Sequence, residues 1–508
     1  MTTEPAGAWE RLNPGMFDET PGTVGRHTRD VAAFVSRVDY DDLPAGVVTD
    51  TKHLILDTIS CALTGRDVAS ARITREVSNY LGGGAQASVI GTRDRTSPPL
   101  AAMVNAKMAN AIDLDDCFMN IAHFAPQATM APLALGESLH RSGREVIVAV
   151  AAGYEVAARI ALAANFWKVT GQLVYGGGSE RLVFGANVFG AAAAAVKALG
   201  LDEQAAATAL GVCGYFAPSL IRSSESALEP PTYGDAGYMA KYCDAGWSTF
   251  TGVMSAVYAK TGFVANRHSL DGRHGYMRIM GGEGVNEDML THGLARDQEH
   301  WCVSDSALKT HPCCKYVHTP LHLFLELVEE NGLRVEDIER VTVHLRPSHA
   351  MGFADQTVQV MQGIPCTHNI PYNLAMAAFG MTPTHEWHAE GNADDPKVRA
   401  FMRKVFTQPS GEAPRTGVED IRACGFPKRI FSQVDVQCAG KAFSKSADRV
   451  KGDPWWEETK FTDRDRFDKL TRCAAGTLGR ERTEAVWECI MGLEDTADVA
   501  ALAELLRP

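Results

Sequence analysis

The 508-residue chain is 45% hydrophobic and 22% charged, the make-up of an ordinary globular protein with room for two or more domains. Its formal net charge of −13 gives no electrostatic support to nucleic-acid binding, although a few buried cations can still make a pocket for an anion. The opening residues, MTTEPAGAWERLNPG, hold no apolar run suited to a secretion signal, so the 12 cysteines are expected as reduced thiols in a cytoplasmic protein.

In chain order, Val48, Ile55, Ile59 and Ala62 follow helical spacing after Asp42 and Pro44, with Gly65 as the expected stop. An Ala/Val-rich helix is predicted between Gly143 and Ala164, with Glu155 and Arg159 one turn apart, and another over Phe189–Leu199, ended by Gly200. The longest uncharged run, Gln204 to Ile221, contains Gly211, Gly214 and Pro218 and reads as a buried helix and a loop, so no membrane span is expected. The texture changes near Trp301. Thr319 and Pro320 are expected to open a helix carrying Leu321, Phe324, Leu325 and Val328, ended by Gly332. Val341, Val343 and Leu345 alternate as a half-buried strand does, and so do Val434, Val436 and Cys438. Between them Val398, Phe401, Met402 and Val405 suggest a helix, and the tail from Phe461 is again helical after the turn-rich KGDPWWEE. The expected fold is mainly α: a discontinuous helical domain (residues 1–303 and 451–508) with an inserted α+β lid (304–450).

Two stretches could carry chemistry. NAIDLDDCFMNIAHFAP, Asn110 to Pro126, gathers Asp113, Asp115, Asp116, Cys117 and His123. Such a cluster suits a solvated loop, a helix cap, a cation site, or an aspartate orienting a general acid–base histidine. ALKTHPCCKYVH, Ala307 to His318, places Lys309, His311, Lys315 and His318 together, either as a basic surface patch or as a clamp for carboxylates. Lys241 and Tyr372 stand alone in GYMAKYC and HNIPYNLAMAA. Gly82–Gly84 and Gly176–Gly178 match neither dinucleotide nor P-loop patterns, and GxSxG is missing, so nucleotide and serine-hydrolase chemistry find no support. No CxxC pair occurs, and adjacent Cys313 and Cys314 are poorly spaced for one metal centre.

Taken in register, VVTDTKHLILDTISCALTG, ASVIGTRDRTSPPLAAMVNAKMANAIDLDD, GYEVAARIALA, FGAAAAAVKALGLD, TGVMSAVYAKTGF, LKTHPCCKYVH and HNIPYNLAMAAFG resemble the MmgE/PrpD family across nearly the whole chain. That family includes 2-methylcitrate dehydratase, cis-aconitate decarboxylase and iminodisuccinate epimerase. The resemblance implies a homodimer, a helical domain built from both chain ends, a lid between them, and a cleft working without metal or organic cofactor. By position it implies Asp113, His123, Lys241, Lys309, His318 and Tyr372 as site residues. Two departures stand out: Cys117 where the decarboxylases usually carry threonine, and Arg181 in the stretch that normally holds a second histidine. Arginine stays protonated, so Arg181 is expected to bind a substrate carboxylate rather than accept a proton, with Cys117 and Lys315 as further substrate contacts.

The implied activity is that of a lyase, a dehydratase or decarboxylase, on a small polycarboxylic acid such as 2-methylcitrate or cis-aconitate. Lys241, Lys309 and Arg181 would hold carboxylates and stabilise enediolate charge, and His123, oriented by Asp113, would move the proton. In dehydration Tyr372 or His318 would protonate the leaving hydroxyl. An epimerase of a substituted succinate shares the same carbanion, and a non-catalytic carboxylate-binding scaffold is the alternative of another class.

Overall fold

The computed structural model describes residues 25–217 and 244–508, apart from positions 172, 177, 353 and 355–363, together with Met239. Helices α1 (Arg26–Arg37), α2 (Ala45–Gly65), α3 (Ala69–Leu81), α4 (Pro98–Asn110), α5 (Ala125–Leu139), α6 (Gly143–Ala163), α7 (Glu180–Leu199), α8 (Glu203–Phe216) and α9 (Ala245–Lys260) build a helical body. Two short antiparallel hairpins interrupt it, β1–β2 (Ala87–Ser88 and Arg95–Thr96) and β3–β4 (Trp167–Thr170 and Leu173–Gly176).

Small residues set how closely these helices cross. A Cβ placed on Gly153 of α6 would lie 2.7 Å from both Ala194 Cβ and the Gly190 carbonyl oxygen of α7. One on Gly252 of α9 would lie 2.7 Å from the Val188 carbonyl oxygen. Backbone thus packs on backbone, which larger side chains forbid. Gly65 serves the same purpose. It is the last residue of α2, as expected, yet the residue after it stays right-handed helical, and a Cβ on Gly65 would meet the Met108 carbonyl of α4. Gly200, at φ +67°, is the left-handed terminator expected of it. Helix α6 opens on a capping box between Ser142 and Glu145, and its Glu155 pairs with Arg159 at 2.7 Å. Helix α6 and residues Arg181–Leu199 of α7 are long and apolar enough to cross a bilayer, yet 94% and 89% of their most apolar windows are buried inside the protein.

The inserted part holds helix α10 (Lys315–Glu330) and a four-stranded sheet of β5 (Ile338–Leu345), β6 (Val405–Pro409), β7 (Ser432–Cys438) and β8 (Lys441–Ala447). The strand order is β6-β5-β7-β8, with β5 and β6 parallel and the other pairs antiparallel. Val341 faces Val436 and Val343 faces Val434, so the two alternating apolar runs seen in the sequence share one buried face, which α10 helps to cover. Helices α11 (Ile370–Ala378), α12 (Pro396–Met402) and α13 (Glu412–Cys424) complete this part.

Two sequence expectations need correction here. Helix α10 starts at Lys315, a turn before Thr319 and Pro320, and Pro320 lies inside it. So near the start a proline costs a single backbone bond, and the buried Tyr316, Val317 and His318 make the extra turn worthwhile. Val405 does not continue α12; the chain turns at Lys404, and β-branched Val405 pairs with Val341 as the start of β6.

After the insert, α14 (Asp463–Ala474), α15 (Arg480–Met491) and α16 (Ala500–Leu505) follow, with α14 and α15 packed on α2 and α16 on α5. Lys469 of α14 reaches Asp57 of α2 at 2.6 Å and the Leu114 carbonyl at 3.0 Å, all buried. The outgoing and returning segments run side by side: Leu308 N–H donates to the Gly452 carbonyl at 2.9 Å, and Gly452, at φ +102°, has no room for a Cβ beside Leu308.

Candidate active site

Residues 111–124, between α4 and α5, form a tight buried turn in which Asp113 adopts φ +59°, an uncommon backbone for a residue with a Cβ. Asn110 Nδ2 holds Asp115 at 2.5 Å, Lys469 holds the Leu114 carbonyl, and Cys117 exchanges backbone hydrogen bonds with Ala307 at 2.8 and 3.0 Å. The turn is therefore anchored by both ends of the chain and by the segment entering the insert.

Asp113 forms a buried ion pair with Lys309, whose Nζ also donates to the Asp113 carbonyl at 3.0 Å. Burial pulls the Lys309 ammonium pKa down, but Asp113 and Asp115 outweigh it and hold it above the usual lysine range. His123 donates its Nδ1 proton to the Asp116 carbonyl at 2.5 Å, which fixes the tautomer and makes Nε2 the basic nitrogen. That Nε2 lies 3.8 Å from Asp113 Oδ1, while Nδ1 lies 3.6 Å from Asp115 Oδ2. Asp113, His123 and Lys309 are thus brought together in a nearly dry setting that suits proton transfer beside a fixed cation.

Asp116 has a different job. Its carboxyl accepts from Tyr154 Oη at 2.9 Å, from the Ala125 amide at 3.1 Å and from Ser306 Oγ at 3.4 Å, so it ties the start of α5 to α6 and to the entering segment. Burial, followed by repulsion from Asp115, pushes its pKa up to about 7. Phe118 fills the space behind, 5.8 Å from Phe124, 6.0 Å from Tyr154 and 5.9 Å from Phe426 of the insert.

The other sequence candidates fall at varying distances from this centre. Cys117 is buried in the turn, and burial raises its thiol pKa far above the physiological range, so it is no thiolate nucleophile. Lys315, expected as a substrate contact, is buried with Nζ 2.6 Å from Asp453 Oδ1, so a substrate would have to compete with that carboxylate. His318 donates from Nε2 to the Cys313 carbonyl at 3.3 Å and turns Nδ1 towards Thr310 Oγ1 at 3.4 Å. The same hydroxyl meets His311 Nδ1 and His322 Nε2, each at 2.8 Å. Burial drives the pKa of all three imidazoles down, so this hub is uncharged at neutral pH. Tyr372 donates its hydroxyl to the Trp387 carbonyl at 2.5 Å. Arg181 is exposed in the first turn of α7, unlike the buried Asp113 and Lys309, and Lys241 lies outside the described residues.

One residue escaped the sequence reading. His388 is buried against Tyr372, with ring centroids 5.9 Å apart, and donates from Nε2 to the Pro312 carbonyl at 2.6 Å. Its Nδ1 has no hydrogen-bond partner among the described residues, and Asp113 is close enough to act on its charge. Nothing in THEWHAEG marks this histidine apart from its neighbours.

Among the described residues, two groups have donor atoms within 4.8 Å of one another, as a metal ion needs: Asp113 with Asp115 and His123, and His311 with His318 and His322. In the first, Lys309 already supplies a positive charge to the carboxylates. The second is surrounded by Lys309, Lys315 and Arg472, an environment that opposes a dication.

Comparison with known proteins matches residues 29–287 to the MmgE/PrpD N-terminal domain and residues 311–495 to the MmgE/PrpD C-terminal domain. The chain belongs to the MmgE/PrpD family. Similar proteins include the cis-aconitate decarboxylase of Aspergillus terreus, 25% identical over 94% of this chain and 96% of the relative. The cis-aconitate decarboxylase-like protein oryM of Aspergillus oryzae is 24% identical over 96% of this chain and 98% of its own length. The human cis-aconitate decarboxylase is 23% identical over 94% of each.

Proposed function

We infer that this MmgE/PrpD protein is a lyase of small polycarboxylic acids, with decarboxylation of a cis-aconitate-like acid as its reaction. The observation that carries the reading is the buried constellation of Lys309, Asp113 and His123. The names of the family relatives support decarboxylation over dehydration.

Lys309 binds a substrate carboxylate and stabilises negative charge as it spreads from the reacting carbon. The carbon–carbon bond to the departing carboxylate breaks, its electron pair stays on the substrate, and carbon dioxide leaves. Protonated His123 then delivers its Nε2 proton to that carbon and is reprotonated from solvent. Asp113 stabilises the imidazolium, while the Asp116 carbonyl keeps the ring in place. His388 supplies a second imidazole beside Tyr372, and Lys241 and Arg181 are further carboxylate ligands. No metal or organic cofactor enters this scheme.

Proton NMR in deuterium oxide with tri- and dicarboxylic acids tests it. The expected product of cis-aconitate has lost carbon dioxide and gained one deuterium, and His123→Ala slows its appearance by about 100-fold or more. Near-native turnover in that variant removes His123 from the role. Exchange of an α-proton without loss of water or carbon dioxide identifies an epimerase instead.

A further inference from the structure

A cavity of about 330 Å³ lies outside the constellation described above, where the helical body meets the two crossing segments. Its walls come from α2 (Asp50, His53, Leu54), the outgoing segment (Val303 to Leu308), the returning segment (Gly452 to Phe461) and Arg466 of α14. Its apolar lining is Leu54, Val303, Leu308 and Phe461, all buried. Its lining cations are Lys460 and Arg466. Arg466 pairs through Nη1 with Asp463 at 3.2 Å, but its Nε is buried without a hydrogen-bond partner among the described residues. A buried donor of that kind calls for a ligand or water. Lys460 also lines the cavity, half exposed and paired with Glu457 at 3.2 Å.

Carboxylates stand near the cations as well: Asp463 pairs with Arg466, and Asp50 lines the cavity. Asp50 is held by Ser304 Oγ at 2.6 Å, and burial pushes its carboxyl pKa up, towards the neutral form. Burial, and then Arg466, lower His53 to about 4, so it enters as a neutral imidazole. Ser306 is directed to Asp116.

We propose that this cavity binds a small monocarboxylic acid, with its carboxylate on Arg466 and Lys460 and its carbon chain on Leu54, Val303, Leu308 and Phe461. The size suits it, since small-molecule sites start at about 300 Å³. The ligand sits against both crossing segments, and the backbone it touches at Leu308 immediately precedes Lys309.

Calorimetric titration of the full-length protein with acetate, butanoate and hexanoate tests the proposal. Affinity is expected to rise roughly fourfold per methylene, the gain for apolar burial. Arg466→Gln should weaken hexanoate binding about tenfold or more, as loss of a charged hydrogen-bond donor does. Lys460→Gln, at a half-exposed position that folding tolerates, should weaken it by about threefold. Hydrogen exchange with hexanoate bound should slow in peptides covering residues 50–54 and 452–466. No saturable binding of hexanoate, unchanged affinity in both variants, or protection confined to peptides around His123 would each overturn the assignment.

Discussion

His123 and Asp116 lie seven residues apart in a single turn, yet burial sends them to opposite tasks. The imidazole keeps its basic Nε2 towards Asp113, whereas the Asp116 carboxyl is enclosed by donors from α5, α6 and the 303–309 segment. Because the folded-state pKa of Asp116 is raised to about 7 from 3.8, the folded protein holds one more proton than the unfolded chain between those values. Its contribution therefore weakens the fold as pH rises from about 4 to about 7, and is level above that. Asp116→Asn should remove this slope, so denaturation of variant and parent across pH 4–8 should show the variant's stability falling less as pH rises. Parallel curves would mean that Asp116 is ionised throughout. The sequence exposed this cluster because three aspartates and a histidine so close together are conspicuous, but could not divide the labour, which depends on which carboxyl is enclosed. His388 was invisible for the complementary reason: its importance lies in its position against Tyr372 and Pro312, distant in sequence.

Among the elements, the crossings of α6, α7 and α9 depend on glycines where helix propensity alone would prefer alanine. Gly153→Ala should gain about 0.5–1 kcal/mol from backbone entropy. It also forces a methyl to within 2.7 Å of Ala194 and of a backbone oxygen that cannot swing away. Overpacking of that kind costs about 1–3 kcal/mol, so the expected net effect is destabilising. Urea denaturation that shows a gain instead would mean α6 and α7 can separate at little cost. Legibility followed from periodicity: the helix carrying Val48, Ile55 and Ile59 and the strands carrying Val341, Val343, Val434 and Val436 follow the apolar spacing seen in the sequence. Boundaries failed at Pro320 and Val405, where a proline in a second turn and a valine after a short helix follow tertiary packing over local preference.

Across the whole molecule, the first and last parts of the chain hold the reacting turn jointly. Lys469 and Asp57 are 412 residues apart, and the same ammonium fixes the Leu114 carbonyl next to Asp113. Lys469→Ala leaves a buried carboxylate unpaired and should cost about 3–5 kcal/mol. The double change Lys469→Met with Asp57→Leu should recover most of it, since the paired charges gain little over apolar residues of similar size. Guanidinium titrations of the parent, single and double variants measure this, and a loss below about 1 kcal/mol in the single variant would show that Asp57 has become neutral or found water.

Leu308 and Gly452 are hydrogen-bonded neighbours, so everything between them leaves the body and rejoins it at nearly one point. A loop grown at that point disturbs neither the path of the helices before it nor that of the helices after it. The insert can therefore vary beyond its first residues while the body keeps its thread. Substrate preference, insofar as the insert supplies it, can then change by exchange of the lobe beyond Lys309, whose pairing with the Asp113 turn has to be kept.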